Sequence, residues 1–422
     1  MIKKAYRWLG LVCMLLAFPL CGADARGFIR VKGHDLVDEQ GAKFFIRGTN
    51  LGHWLNPEGY MFKFGKCNSP HFIDEMFKQL VGPEETAKFW KAFKDNYITE
   101  ADLAFVAATG CNTVRLPFHY KLFTDEDYLG LTGKQDGFVR MDAVVSWCRK
   151  YGLRLILDMH DCPGGQTGDN IDDSHGYPWL FVSEHFQRQY CAIWRAIAQR
   201  YANEPVVLGY DLMNEPISSR LADKDELNKQ LARVQARAAR AIREVDQKHI
   251  VIFGGAQWNS NFKPFEGFTF DANMMYTCHH YDFGNKNLED WKIKRHADFR
   301  DRAGVPMWMG ETGHNWPVWY RAMGETMEKY NIGWTFWPLK APGGSAWLHF
   351  PYPEGWKETI VKFAESDRSS YAEIQKNRPD QQKARALMRA YIENCKNARC
   401  RIDRAYLDAL KLTVPAKPNG QK

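Results

Sequence analysis

The chain has 422 residues, 45% of them hydrophobic and 25% charged, enough apolar content for an extensive core and too much for a disordered chain. Its 57 basic and 50 acidic residues leave a formal charge of +7 that is spread along the sequence, so nucleic acid is not indicated as a partner. Beyond the first 25 residues no stretch approaches the roughly 18 uninterrupted apolar residues that a membrane-spanning helix needs.

Residues 1–25 read as a signal peptide: Lys3, Lys4 and Arg7 precede an apolar stretch at 9–20, and Ala23-Asp24-Ala25 gives a small-residue cleavage pattern. The expected mature chain starts at Arg26 and is exported to the periplasm, cell surface or medium. Eight of the ten cysteines lie outside that segment. Cys111, Cys148, Cys191 and Cys278 fall within apolar patterns as buried thiols, and Cys395 with Cys400 is the pair to expect if any is oxidised. No Cys-x-x-Cys occurs, which argues against a zinc ribbon or a thioredoxin-type site.

Residues 27–47 read as a short hairpin around Asp38-Glu39-Gln40-Gly41, placed to cover one end of a barrel. Strand one follows at 43–52, and residues 55–96 form an insertion too long for an ordinary loop. A helix at 98–108 leads to strand two at 112–119, and a helix at 141–150 leads to strand three at 154–160. The helix at 184–201 shows Phe186, Tyr190, Ile193, Trp194, Ile197 and Tyr201 on one face, and strand four begins at Val206. A helix at 227–242 precedes strand five at 250–255; strands six, seven and eight are expected at 274–281, 306–311 and 333–337. Eight apolar runs alternating with helices predict a parallel (β/α)8 TIM barrel over residues 26–370. A helical extension and tail occupy 371–422.

Strand four ends in Asp211-Leu212-Met213-Asn214-Glu215-Pro216, and strand seven ends on Glu311. Barrels carry their chemistry at the C-terminal ends of the strands, and two glutamates so placed suit acid/base and nucleophilic work on a glycosidic bond.

The ordered set of residues resembles glycoside hydrolase family 5, the cellulase-like retaining β-glycosidases, up to about residue 350. Asn214-Glu215-Pro216 resembles the family's acid/base segment and Met309-Gly310-Glu311-Thr312-Gly313 its nucleophile segment. Arg115, His160, His279, Tyr281 and Trp337 match family positions on strands two, three, six and eight. The segments at 47–52 and 157–160 are similar to the exo-β-glucanase branch. Residues 161–166 depart from the pattern, and the insertion at 55–96 has no counterpart.

The resemblance implies an enzyme acting on an oligosaccharide or polysaccharide, expected to be a monomer without a cofactor. Glu215 is then the acid/base and Glu311 the nucleophile, oriented by Arg115. Asn214 binds the hydroxyl beside the reacting carbon, His160, His279 and Tyr281 bind hydroxyls or orient Glu311, and Trp337 offers an aromatic face. Ionised Glu311 is expected to raise the pKa of Glu215. Trp54, Trp258, Trp316 and Trp347 are weaker candidates for further sugar subsites. Two other readings use the same residues: a metal-dependent barrel hydrolase with ligands among His119, His160, Asp161, His279 and His280, and a non-catalytic glycan-binding barrel.

Overall fold

The computed structural model describes residues 27–130 and 134–416; the signal-peptide reading of 1–25 lies outside them. Eight parallel strands close a barrel: β1 (Arg47–Asn50), β2 (Thr113–His119), β3 (Arg154–Asp161), β4 (Val207–Asp211), β5 (Ile250–Gly254), β6 (Met274–His279), β7 (Met307–Glu311) and β8 (Gly333–Phe336), with β8 pairing back to β1. This is the expected (β/α)8 architecture. Every residue of β2 and β3 is buried, because strands in a parallel barrel are covered by side chains on the inside and by helices on the outside.

Strand one starts later than expected, because Lys43–Phe44 pairs with a hairpin instead of the barrel. Arg30–Lys32, Asp35–Val37 and Lys43–Phe44 form a three-stranded antiparallel sheet, turned at Asp38, whose Oδ1 accepts from Ala42 N at 2.8 Å. Ile29, Leu36 and Phe44 of this segment pack against Ile156, Leu208, Ile252 and Trp308 at the lower end of the barrel, which keeps that end dry.

The surrounding helices also position the strand tips. Ser183 caps helix Glu184–Tyr201. From its buried face Tyr190 Oη and Trp194 Nε1 donate to Leu212 O at 2.7 and 3.1 Å, so the helix grips the chain three residues before Glu215.

The insertion at 55–96 folds as a turn at Gly59–Phe62 and two helices, Pro70–Val81 and Pro83–Asn96, each opened by a proline. It packs against the C-terminal segment. Tyr352 Oη and Trp356 Nε1 donate to Met61 O and Phe62 O at 3.0 Å each, and the Phe62 and Tyr391 ring centroids lie 5.2 Å apart. Lys340, fully buried, joins the three parts by donating to Tyr97 O and Cys395 O and pairing with Asp102 at 2.7 Å. The extension is not helical throughout. After helix Gln381–Cys395 the chain forms strand Arg401–Ile402, which pairs with Leu348–Phe350, before a last helix Arg404–Ala409. No disulfide joins Cys395 and Cys400: their thiols face Ile392 O at 3.2 Å and Cys395 O at 3.6 Å.

Candidate active site

The tips of the strands surround a cavity of about 620 Å³ lined by Glu215, Glu311, His160, Asn214, His279, Tyr281 and Trp337. Arg115 sits beneath it, fully buried. All eight expected site residues therefore meet at one place.

Glu311 ends β7 at a register irregularity between Met309 and Glu311, a feature that re-aims side chains beside sites. Gly310 permits it, since a Cβ there would lie 2.4 Å from Thr277 Oγ1 and 2.8 Å from His279 Nε2. Thr335 Oγ1 and Asn50 Nδ2 hold the Gly310 carbonyl at 2.6 and 3.0 Å. The Glu311 carboxylate then accepts from Arg115 NH1 at 2.5 Å and from Tyr281 Oη at 3.0 Å. Both donors fix the carboxylate's orientation toward the cavity.

Arg115 serves more than Glu311. Its Nε donates to Asp211 at 2.9 Å, its NH1 to Asn50 at 3.2 Å and its NH2 to Asn214 Oδ1 at 2.9 Å, and NH2 lies 3.0 Å from Asp158. Three buried carboxyls thus share one guanidinium. Burial pushes Asp158 and Asp211 up from the ordinary carboxylate range against the opposing pull of Arg115.

A chain of donors fixes the next layer. Arg115 can only donate, so it takes Asn214 Oδ1 and turns Nδ2 toward His160 Nε2, 3.3 Å away. His160 Nε2 then accepts, and the proton sits on Nδ1, 2.7 Å from Asp158. Burial holds His160 at about 4 and His279 at about 3, so both rings are neutral near pH 7.

Glu215 stands 2.8 Å from His279 Nδ1. Burial pushes its carboxyl up to about 7. That cause differs from the expectation that ionised Glu311 would do it: removal from water dominates, and the further charge that raises it is that of Asp169. Glu215 has φ 43° and Ile217 φ 60°, conformations that non-glycine residues adopt only when the surroundings impose them. The segment after His160 does so. Gln166 Nε2 donates to His160 O and Asn214 O at 2.7 and 2.8 Å, and Thr167 Oγ1 donates to Glu215 O at 2.7 Å. The departure at 161–166 is therefore a clamp on the tip of β4.

Trp337 lies parallel to His160 with centroids 5.5 Å apart and donates from Nε1 to Tyr60 Oη at 2.8 Å. Its ring rests on Gly52, where a Cβ would come within 2.7 Å of it. Tyr60 also contacts His53 and lies 3.5 Å from His314 Nε2. Glu58, buried beside them, is pushed well above the carboxylate range by its burial and then by Glu311 and Glu215.

These residues of the insertion were not foreseen, because nothing in their spacing marks them. Asp158, by contrast, was legible: two residues before His160 on a strand, it shares that histidine's face. Of the tryptophans proposed for subsites, Trp54 and Trp347 are core residues with 1% and 0% exposure. Trp258 lines the cavity and Trp316 lies outside its lining.

Among the described residues, Glu215, His279 and Glu311 are the group whose atoms, all within 4.8 Å of one another, approach a metal-ligand set. Each is already engaged by Arg115, Tyr281 or another member, and an added cation beside Arg115 would meet repulsion. His119 is paired instead with Asp173 at 3.1 Å, so the five residues of the metal reading do not form one ligand set.

Comparison with known proteins agrees with this geometry. The family model described as Cellulase (glycosyl hydrolase family 5) matches residues 75–343. A beta-xylosidase from Phanerodontia chrysosporium is 28% identical over 380 residues, 79% of this chain and 76% of that relative. Endoglucanase C from Acetivibrio thermocellus is 35% identical over 172 residues, 41% of this chain and 46% of the relative. A solved beta-glucanase from Saccharophagus degradans shares the fold with a TM-score of 0.51 and 18% identity, covering 88% of this chain and 94% of that one. With a family model spanning well over half of the sequence, this chain belongs to glycosyl hydrolase family 5 and is a glycosidase.

Proposed function

We propose that the protein is an exported retaining β-glycosidase that cleaves β-glucans or related β-linked glycans by double displacement. The observation that carries the stereochemistry is the approach of Glu215 and Glu311, whose nearest carboxyl oxygens lie within 4.8 Å. Retaining enzymes hold their carboxyls about 5–5.5 Å apart, whereas inverting ones leave about 6.5–9.5 Å for a water.

Glu311, oriented by Arg115 and Tyr281, attacks the anomeric carbon. Glu215, holding its proton up to about pH 7, gives it to the departing oxygen. The glycosyl ester that forms removes the charge of Glu311, and Glu215, now ionised, takes a proton from the incoming water. Asn214, locked between Arg115 and His160, offers its amide to the neighbouring hydroxyl, where a bond that strengthens at the transition state lowers the barrier. Trp337 supplies the floor for the sugar.

The β-glycan class rests on the site and on relatives named as a beta-xylosidase and an endoglucanase. Export rests on the basic, apolar and small-residue order of residues 1–25. NMR of the first sugar released from a β-glycoside tests the mechanism: the β anomer is expected, and an initial α anomer overturns it.

A further inference from the structure

We propose that Asp211 and Asp158 share one proton, carried on Asp211 Oδ1 and donated to Asp158 Oδ1, and that Asp211 is thereby a positioning residue that leaves the charge of Arg115 to Glu311. The role at Glu311 rests on the glycosidase reading above; the proton does not.

Asp158 of β3 and Asp211 of β4 are direct partners across a parallel pair, and both are 0% exposed. Partners in register turn their side chains to the same face, here the barrel interior that holds Arg115. Two carboxyls side by side and away from water cannot both keep a charge, because burial and a like-charged neighbour each disfavour the second ionisation. Burial pushes both of them up from the ordinary range. The groups that face the pair are Arg115, Glu311, Glu215 and His160. His160 is neutral near pH 7, so Arg115 is the one cation among them.

The hydrogen bonds place the proton. Asp158 Oδ1 and Asp211 Oδ1 are buried and find no hydrogen-bond partner among the described residues. An orphaned buried oxygen is costly, and a single proton between these two satisfies both. Asp158 Oδ2 accepts from His160 Nδ1 at 2.7 Å, and Asp158 Oδ1 lies 3.0 Å from Arg115 NH2, so donors stand at both of its oxygens and it is the anion. Asp211 Oδ2 meets Nε and NH2 of Arg115 at 2.9 Å each, which leaves Asp211 Oδ1 to carry the hydrogen. With Asp211 neutral, Arg115 balances two carboxylates, Asp158 and Glu311. When the glycosyl ester takes the charge of Glu311, Asp158 alone remains against the guanidinium and the cluster is neutral. An ionised Asp211 would add uncompensated buried charge in both states.

The test is the pH dependence of stability. A neutral buried Asp211 keeps a proton that the unfolded chain releases above an ordinary 3.8, so wild type loses stability as pH rises, whereas asparagine escapes that loss. In chemical denaturation, the folding constant of Asp211→Asn should gain on that of wild type by about tenfold for each pH unit between about pH 4 and pH 7. A difference that stays constant with pH overturns the shared proton. At pH 7 Asp158→Asn should fold with a constant at least about tenfold below that of Asp211→Asn, because its amide nitrogen must face His160 Nδ1–H or Arg115 NH2; the reverse order puts the proton on Asp158 and overturns the assignment. Asp211→Leu, which can bond neither Arg115 nor Asp158, should lose about a hundredfold more kcat/KM on an aryl β-glucoside than Asp211→Asn does, and equal losses overturn the positioning role. A wild-type protein inactive on aryl and oligomeric β-glycosides overturns the glycosidase reading and the role at Glu311 with it, while the pH series still decides the proton.

Discussion

Glu215→Gln should stabilise the protein, and only at neutral to alkaline pH. The carboxyl moves from an ordinary 4.5 to about 7 because it is buried, which at 1.36 kcal/mol per pH unit is a penalty of about 3 kcal/mol on the charged form. The sign follows from proton counting. Below about pH 4.5 the group is neutral both folded and unfolded and costs nothing. Between about 4.5 and 7 the folded state binds more protons than the unfolded one, so stability falls as pH rises, and above about 7 the full penalty is present. Glutamine has the same shape, keeps the strained φ of 43° and carries no charge. Thermal unfolding at pH 4 and pH 8 measures the effect: the variant should match wild type at pH 4 and gain up to about 3 kcal/mol at pH 8, a rise of a few degrees in Tm. The same titration predicts that wild-type kcat/KM for glycans falls above about pH 7, whereas substrates with very acidic leaving groups, which need no proton, escape that fall. A variant no more stable than wild type at pH 8, or equally stabilised at pH 4, refutes the assignment of the proton to Glu215.

Three further substitutions probe the two glutamates and the frame. Glu311→Ala with azide should yield the α-glycosyl azide from an activated β-glycoside, and Glu215→Ala should yield the β-glycosyl azide; the reverse anomers would exchange the two roles. Lys340→Met should cost about 3–5 kcal/mol by leaving fully buried Asp102 without its cation, and an unfolding free energy within about 1 kcal/mol of wild type would show that Thr99 and Asn397 suffice for that carboxylate.

The barrel was legible because its strands, buried on both sides, read as apolar runs, and because helices such as Glu184–Tyr201 keep a strict apolar face. Glu215 and Glu311 were legible because strand ends fix where side chains project, whereas Arg115, Asn214 and His279 were legible through the resemblance to glycosyl hydrolase family 5. The first strand was misplaced by four residues because Lys43–Phe44 continues the same apolar texture into a hairpin that pairs with its own neighbours. Glu58 and Tyr60 were illegible for another reason. Their positions depend on partners far away in sequence, which leave no local pattern.

The contacts of the turn at Gly59–Phe62 bear on how the enzyme divides into parts. A fragment ending at residue 343, where the family model stops, would contain all eight barrel strands and both glutamates. It would lack Tyr352, Trp356 and Tyr391, whose hydroxyls and indole hold the carbonyls of Met61 and Phe62. Tyr60, which carries the hydrogen bond to Trp337, stands immediately before them. The catalytic unit is thus longer than the barrel, because residues beyond 343 hold the turn that places Tyr60 at the cavity without lining the cavity themselves.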